Sequence, residues 1–346
     1  MSLPSLPPLP PAPAGGLRVG ALLLPNRVFA APMAGVTDLP WRRLARRLGA
    51  GHCVSEMVTS KQELWDTPKS LRRLDHSGEP GPVAVQLVGV DAQTMAEAAR
   101  ANAAAGAQII DINMGCPAKK VCSRWAGSAL MQDEAAALRI IDAVVAAMAP
   151  LGIPVTLKMR SGWCAEVRNA PRLALAAQEA GVALVSVHGR TRDQGYSGAA
   201  EYATIAAVKR ALRIPVVANG DIDCAAKARA VLAATGADAV MIGRAALGRP
   251  WLIGQIAAEL DGAPRAAPSL AQQGAWLLEH LDAHHAFHGA SGVKSARKHV
   301  AWAVEGLPGA AAFRARFHQL TDAAAQIRAV QQYFDALRVD STLLAA

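Results

Sequence analysis

The stretch Asp111-Ile112-Asn113-Met114-Gly115-Cys116-Pro117-Ala118-Lys119-Lys120 puts one thiol and two ammonium groups in a Gly/Pro-punctuated loop that ends an apolar run. Rigid scaffolds present reactive groups from such strand ends, whereas a core cysteine has apolar neighbours on both sides. Lys158 follows the apolar run Pro154-Val155-Thr156-Leu157, which carries its ammonium into the fold, a costly position without an anionic partner. Asn219-Gly220-Asp221 and Gly243-Arg244 are short turns of the kind that hold phosphate through backbone N–H groups, here with a guanidinium to assist. They imply a cofactor monophosphate; the bland alternative is that both glycines only close tight turns. His188 leads into the basic loop Gly189-Arg190-Thr191-Arg192, and is read as a site histidine against the alternative of a satisfied core one.

Eight short runs rich in apolar and β-branched residues would position these groups: Arg27 to Ala31, His52 to Glu56, Val83 to Leu87, Ile109 to Asn113, Val155 to Met159, Leu184 to His188, Val216 to Asn219 and Ala239 to Ile242. Each is followed by helical periodicity, so the strands pair in parallel through right-handed crossovers. Eight such units imply an α/β TIM (β/α)8 barrel, and no GxGxxG follows the first strand as a dinucleotide-binding sheet would require. In a barrel the reactive face is the C-terminal end of the strands. Here successive ends supply Met33, Glu56, Gln86, Asn113, Lys158 with Arg160, His188 with Arg190, Asn219 with Asp221, and Gly243 with Arg244. They should converge on a ligand. A reduced flavin, anionic near its N1 position, suits Lys158 in the mouth; a Schiff-base role for that lysine is the competing reading.

The rest of the chain bounds the class. Residues 1–16, with six prolines, lack the charged start and apolar run of a secretory signal and read as a disordered tail. Residues 17–262 hold the barrel. After the Pro-containing connection Gly262 to Pro268 only helical periodicity remains, so residues 263–346 read as a C-terminal all-helical domain. There Lys294, Arg297 and Lys298 fall at i, i+3 and i+4, one basic helix face, whose bland reading is a solvated surface. The five cysteines are scattered without CxxC or zinc-finger spacing, which implies a reduced, cytoplasmic setting and no metal. No membrane span is expected. A formal charge of +9 favours a polyanionic partner.

The chain resembles the tRNA-dihydrouridine synthases, most closely their bacterial B-type subgroup. The resemblance runs from about Leu17 to the C-terminal helices and is carried by Ala31-Pro32-Met33-Ala34-Gly35-Val36-Thr37-Asp38, Ser55-Glu56-Met57, Gln86-Leu87, Asp111 to Lys120, Ala126-Gly127-Ser128-Ala129-Leu130, Lys158-Met159-Arg160, His188-Gly189-Arg190-Thr191, Asn219-Gly220-Asp221-Ile222 and Met241-Ile242-Gly243-Arg244-Ala245. It implies a barrel that holds FMN, is recharged by NADPH and reduces the C5=C6 bond of a particular tRNA uridine, with the helical domain gripping the RNA. It places Pro32, Met33 and Ala34 beside the flavin by backbone contacts, and Gln86 and Lys158 at the ring's polar edge. Asn219, Gly220, Asp221, Gly243 and Arg244 go to the phosphate end with His188 joining them, and Cys116 is the proton donor.

The chemistry agrees. Hydride delivered to uracil C6 leaves charge at C5 and O4, which calls for a proton from the other face of the ring. A thiol of ordinary pKa, about 8.5, is mostly protonated at pH 7 yet acidic enough to give that proton. Asn113 is expected to bond the uracil edge, and Arg190 to stabilise charge at a carbonyl oxygen, with Arg160 also on the substrate side. Lys119 and Lys120 either lower the thiol's pKa or, as preferred, meet RNA phosphates, and Lys294, Arg297, Lys298 and His299 are expected to bind RNA phosphates from the helical domain. The target base must leave its stack to reach the flavin. Cys122, outside the shared motif, offers the alternative of a regulatory disulfide with Cys116. The protein is expected to act as a monomer. Two alternatives remain: an FMN-dependent barrel reductase of a free pyrimidine or small enone, and an RNA-binding protein that has lost redox chemistry.

Overall fold

The computed structural model describes residues 15–345, with side chains to residue 338; most of the Pro-rich tail lies outside the described residues. Eleven strands run in chain order as β1 (Leu17–Val19), β2 (Leu22–Leu24), β3 (Val28–Ala30), β4 (His52–Cys53), β5 (Val58–Thr59), β6 (Ala84–Val88), β7 (Ile109–Met114), β8 (Val155–Arg160), β9 (Leu184–His188), β10 (Val216–Asn219) and β11 (Ala239–Ile242). β3 to β11 form one parallel sheet in the order β4-β3-β11-β10-β9-β8-β7-β6-β5. Parallel pairing between sequential strands needs a crossover each time, and helices such as Ala92–Ala104, Glu134–Met148 and Ala225–Thr235 supply it.

β4 and β5 together form the second barrel strand. The expected run His52 to Glu56 breaks because it pairs with β3 only through His52 and Cys53, then touches β6 through a single bridge, Val54 to Ala84. Beyond Val54 the Ser55 hydroxyl accepts from Gln86 N at 3.0 Å, and Glu56 leaves the wall to accept from Gly35 N at 2.6 Å. The sheet closes into a barrel through these contacts. The Ser55 side chain adds to a seam held by the Val54–Ala84 bridge, the bond from Ser55 N to the Ala84 carbonyl at 3.0 Å and the β5–β6 ladder.

The antiparallel hairpin β1–β2 was not expected from the sequence. Its Val19 and Leu24 pack with Leu184 and Ala239, the first residues of their strands, so it plugs the N-terminal end of the barrel. The C-terminal end is left open for the site. The main core is made of Val, Ile, Leu and Ala from the strands and the inner faces of the surrounding helices, where burial of each large side chain contributes roughly 1.5–3 kcal/mol.

Helix Leu252–Leu260 is the last of the barrel, and helices Leu270–His288, Ala290–Ala303, Ala310–Phe317 and Ala323–Ala345 follow. They share a separate core of Leu277, Leu281, Val300, Phe313, Phe317, Val330 and Phe334. Ser269 opens the first of them with a capping box, its side chain bonded to Gln272 N and the Gln272 side chain bonded back to Ser269 N. This bundle rests on helix Leu39–Arg47. Asp38 caps that helix through Oδ1 to Trp41 N and turns Oδ2 to His288 Nε2 at 2.7 Å. Burial would raise the Asp38 carboxyl, but hydrogen bonds from His284 and His288 outweigh it and hold it well below the usual range. Gly248 lies so close beneath helix Ala290–Ala303 that a Cβ there would stand 2.4 Å from the Trp302 carbonyl carbon. Among the described residues no helix is long and apolar enough to cross a membrane.

Candidate active site

Parallel register builds the site in layers, since residues opposite each other in neighbouring strands face the same way. One layer aligns Gln86, Asp111 and Thr156; the next aligns Asn113, Lys158 and Ser186; the outermost aligns Arg160, His188, Asn219 and Met241. The polar residues read from the sequence therefore share one face because their spacing matches the strand period. Apart from Glu56, they line a cleft of about 1050 Å³ at the C-terminal end of the barrel.

All of the expected cofactor-binding residues border this cleft: Pro32, Met33, Ala34, Gln86, Lys158, His188, Asn219, Gly220, Asp221, Gly243 and Arg244. Cys116, Asn113, Lys119, Arg160, Arg190 and Lys298 border it too. Lys120 is exposed beside Lys119 without lining the cleft, and Lys294 is exposed on its helix. Arg297 turns away, its Nη2 directed at the Leu320 carbonyl at 3.5 Å, and His299, expected on the same phosphate-binding face, is buried against His280 and His284. The basic helix face thus divides, and only Lys298 reaches the cleft.

Hydrogen bonding in the deepest layer has one direction throughout. Asp111 accepts from Thr156 Oγ1 at 2.6 Å and from Gln86 Nε2 at 2.7 Å, and Gln86 Oε1 accepts from Asn113 Nδ2 at 2.7 Å. Asn113 Oδ1 in turn accepts from Gly115 N at 3.1 Å and Cys116 N at 3.0 Å. The amide expected to read a substrate edge is instead occupied in holding the loop that carries the thiol. Burial pushes the Asp111 carboxyl upward against its two hydrogen bonds and the nearby Lys158 charge.

Cys116 is half-buried, and burial pushes its thiol up, against the pull of the Ala118 backbone, Arg160 and Lys158. It is therefore protonated at neutral pH. Gly127, at φ +62°, packs beneath it, where a Cβ would stand 2.9 Å from the Cys116 carbonyl oxygen. Ser128 Oγ and Cys122 Sγ both donate to that same oxygen, at 2.9 and 3.4 Å. Cys122 is a free, buried thiol bonded to the loop backbone, and Cys116 is also free.

Lys158 reaches across the mouth, Nζ to Asn219 Oδ1 at 3.3 Å, while Asn219 Nδ2 is fixed to the Met241 carbonyl at 2.8 Å. Burial and then the Arg160 charge lower its ammonium to about 8. An ammonium with three donors and one long hydrogen bond is short of acceptors. That is the requirement an anionic ligand meets.

Two arginines expected near the substrate serve the walls. Arg160, 1% exposed, gives Nε to the Gly115 carbonyl at 2.8 Å and Nη1 to the carbonyls of Thr191 and Gly195 at 2.9 and 2.8 Å, tying the thiol loop to the loop after β9. Arg190 donates to the carbonyls of Ser197 and Gly198, to Asp221 Oδ2 at 2.7 Å and to His188 Nε2 at 3.3 Å. His188 is consequently an acceptor at Nε2. Burial, followed by the surrounding cations, drives it down to about 2, so it is neutral.

The phosphate-type turns lie side by side at the ends of β10 and β11. Gly220 has φ +126°, and a Cβ there would stand 2.7 Å from Ala200 Cβ and 3.1 Å from His188 Cδ2. Asp221 follows at φ +49°, a strained conformation for a side-chain-bearing residue, held by Arg190 and by Ala200 N, which donates to Oδ2 at 2.8 Å. Burial acts to raise the Asp221 carboxyl, but the Arg190 bond, the Ala200 N–H and the Arg190 and Arg244 charges together lower it. Gly243 is different: a Cβ there would meet only Ala31 Cβ at 3.7 Å and Met33 Sδ at 4.0 Å, so its bare backbone leaves room at the cleft wall.

Sequence reasoning passed over Tyr196 and Trp302, both on the cleft wall. Tyr196 lies beneath the guanidinium groups of Arg244, 4.9 Å from its centroid, and Arg160, 5.6 Å away, and is 57% exposed. An aromatic between glycines in a basic loop was the available signal. Trp302 sits four residues after Lys298, on the same helix face.

The family model described as dihydrouridine synthase (Dus) matches residues 29–338. A tRNA-dihydrouridine synthase B of Xanthomonas axonopodis pv. citri is 55% identical over 323 residues, 93% of this chain and 96% of that protein. One from Pseudomonas aeruginosa is 53% identical over 332 residues, 95% of this chain and 99% of its own length, and one from Shewanella oneidensis is 49% identical over 323 residues, 93% and 99%. Among solved structures, a variant of NCR from Zymomonas mobilis superposes with TM-score 0.55 at 17% identity, covering 77% of this chain and 96% of that one. A 2-naphthoyl-CoA reductase in complex with 2-naphthoyl-CoA gives 0.55 at 13% identity, covering 72% and 52%. These structural likenesses bear on the fold.

Proposed function

The chain belongs to the dihydrouridine synthase family, and from that premise we propose that it reduces the C5=C6 bond of a particular uridine in tRNA to 5,6-dihydrouridine, using bound FMN recharged by NADPH. The observation that carries the reading is a thiol kept protonated by burial, Cys116, at the lip of the same cleft as the half-buried, acceptor-poor ammonium of Lys158. The residues suit the flavin. Lys158 offers a positive charge to the electron-rich edge of the ring, Pro32, Met33 and Ala34 form the wall beside it, and Gly243, Arg244 and the Gly220 turn form a cationic recess for its phosphate. When bound, FMN supplies the hydride that goes to uracil C6.

Cys116 completes the reduction. Its S–H bond breaks as a C–H bond forms at uracil C5, and solvent then returns a proton to the sulfur, so hydride and proton together saturate the double bond. Asn113, through its two bonds to the loop backbone, sets the height of that sulfur, and Arg160 ties the loop from the other side. Arg190 keeps His188 and Asp221 in place at the phosphate end. Lys119 and Lys120 at the rim, Lys298 in the cleft and Lys294 on the same helix are offered to RNA phosphates, with residues 263–346 as the gripping unit beside the barrel of residues 17–262. We read the protein as a cytoplasmic monomer.

The test is Cys116→Ala. The variant should bind FMN and oxidise NADPH as the parent does, while dihydrouridine formation in unmodified tRNA falls by about 10² or more, the scale of lost general-acid catalysis. Undiminished dihydrouridine formation refutes the role of the thiol. Equal activity on free uracil and on tRNA refutes the RNA substrate and restores the small-molecule reductase.

A further inference from the structure

Five of the chain's nine histidines gather on two helices of the C-terminal bundle: His280, His284, His285 and His288 on Leu270–His288, and His299 on Ala290–Ala303. Spacing of i, i+4 and i+8 puts His280, His284 and His288 on one helix face, and the neighbouring helix brings His299 against it. Ring centroids of His280 and His299 lie 4.8 Å apart, and those of His284 and His299 5.0 Å apart. The group is buried: His280 is 5%, His284 1% and His299 4% exposed.

Among the described residues both ring nitrogens of His280 and Nε2 of His299 are enclosed without a hydrogen-bond partner. Such orphaned polar atoms are rare because each forfeits its hydration without compensation. His280, His284 and His299 each offer a nitrogen, and the three atoms lie within 4.8 Å of one another. A tetrahedral ion bonded at about 2.0–2.1 Å to each would need them to close further, by rotation of imidazoles about their side-chain torsions. Behind them stands a ready outer layer. His284 has Asp38 Oδ2 3.3 Å from Nδ1 and Ser295 Oγ 2.7 Å from Nε2, so whichever nitrogen takes the ion, an oxygen remains to fix the other. His280 also borders a cleft of about 740 Å³ between helix Leu39–Arg47 and the helical bundle, which gives an ion a way in.

We propose that His280, His284 and His299 form a structural Zn(II) site that clamps helix Leu270–His288 to helix Ala290–Ala303, with Asp38 as the outer carboxylate. Three imidazoles beside one carboxylate favour a divalent ion of intermediate softness over calcium or magnesium. The clamp acts on function by position. Helix Ala290–Ala303 carries His299 on one face and Lys298 and Trp302 toward the cleft, so fixing the first fixes the other two. The expectation of no metal rested on cysteine and zinc-finger spacing, a different ligand pattern from this helical histidine repeat.

The experiment uses the full flavin-loaded chain, stripped with chelator and dialysed. Calorimetric titration with Zn(II) should show one equivalent bound and a raised thermal midpoint. Co(II) in its place should give the visible bands of a tetrahedral ion with nitrogen ligands and no intense sulfur-to-cobalt charge transfer. His280→Gln and His299→Gln should each weaken binding at least about 100-fold, at or beyond the upper end of an outer-layer loss. His288→Gln and Cys116→Ala should bind as the parent does. The proposal is overturned if the parent takes up no stoichiometric Zn(II), if Co(II) reports thiolate ligation, or if the two Gln variants bind undiminished. It is overturned equally if His288→Gln alone abolishes uptake, which would move the ion to Asp38, His284 and His288. Should a Gln variant fail to fold, the parent's titration and cobalt spectrum decide the matter alone.

Discussion

Asn113→Ala tests whether the thiol loop is held from below. Asn113 is 8% exposed and makes four hydrogen bonds: it accepts from Gly115 N and Cys116 N and donates to Gln86 Oε1 and, at 3.9 Å, to Met57 Sδ. Truncation leaves Gln86 Oε1 buried without a donor, which costs about 1–3 kcal/mol, because Gln86 cannot flip its amide without turning an oxygen toward the Asp111 carboxylate. The two backbone N–H groups belong to half-buried residues and recover part of their loss from water, at about 0.5–1 kcal/mol each. The sum is about 2–5 kcal/mol, a large share of an ordinary domain's stability. Urea unfolding of the FMN-free chain should register it as a lower midpoint at unchanged slope. NADPH oxidation should fall less than dihydrouridine formation, since Lys158 and the phosphate turns are untouched and Gln86 keeps its bond to Asp111, while the sulfur's height is lost. A cycle with Gln86→Ala should show coupling of about 1–3 kcal/mol, because removing Gln86 also removes the orphaned oxygen. A loss below about 0.5 kcal/mol, or additive behaviour in the cycle, refutes the claim that this amide supports the loop.

Lys158 gives a pH signature. Burial lowers its folded pKa to about 8 from an ordinary value near 10.4, so between those values the unfolded chain binds more protons and FMN-free stability should rise with pH across that window. Lys158→Met should flatten the rise, stabilise the FMN-free chain at pH 7 by about 1–3 kcal/mol and weaken FMN binding; a rise of equal slope in the variant refutes the assignment. Gly220→Ala forces a Cβ against Ala200 at φ +126°, and should raise the FMN dissociation constant at least about 10-fold, read by flavin fluorescence, with a parental value counting against the turn.

The barrel was legible because its evidence is periodic: seven of the eight strand runs correspond to single strands of similar bounds, and register then gathers their polar ends automatically. The second run was legible only in part. Ser55 and Glu56 continue the polar and apolar pattern of a strand but take hydrogen bonds of their own at the seam, which no window of residues reveals. The same limit applies to the site. Asn113, Arg160 and Arg190 were recognisable as cleft residues, yet whether a polar side chain faces a ligand or satisfies the protein depends on carbonyls contributed by Gly115, Thr191, Gly195 and Ser197, and those become neighbours only on folding. The single basic face on helix Ala290–Ala303 divides for a related reason. Arg297 is one position from Lys298, and about 100° of rotation separates a side chain in the cleft from one against its own bundle.

Gly248 gives the cleft its ceiling. The backbone of helix Ala290–Ala303 comes down on this residue at Trp302, and no side chain fits between them. The clearance above the barrel mouth is thereby set by an omission: one missing carbon works as a spacer of zero thickness, bringing Lys298 and Trp302 low enough to border the cleft. Any larger residue at this point is a wedge under the roof. It would lift both side chains together while leaving every strand, and every residue at the strand ends, where it was.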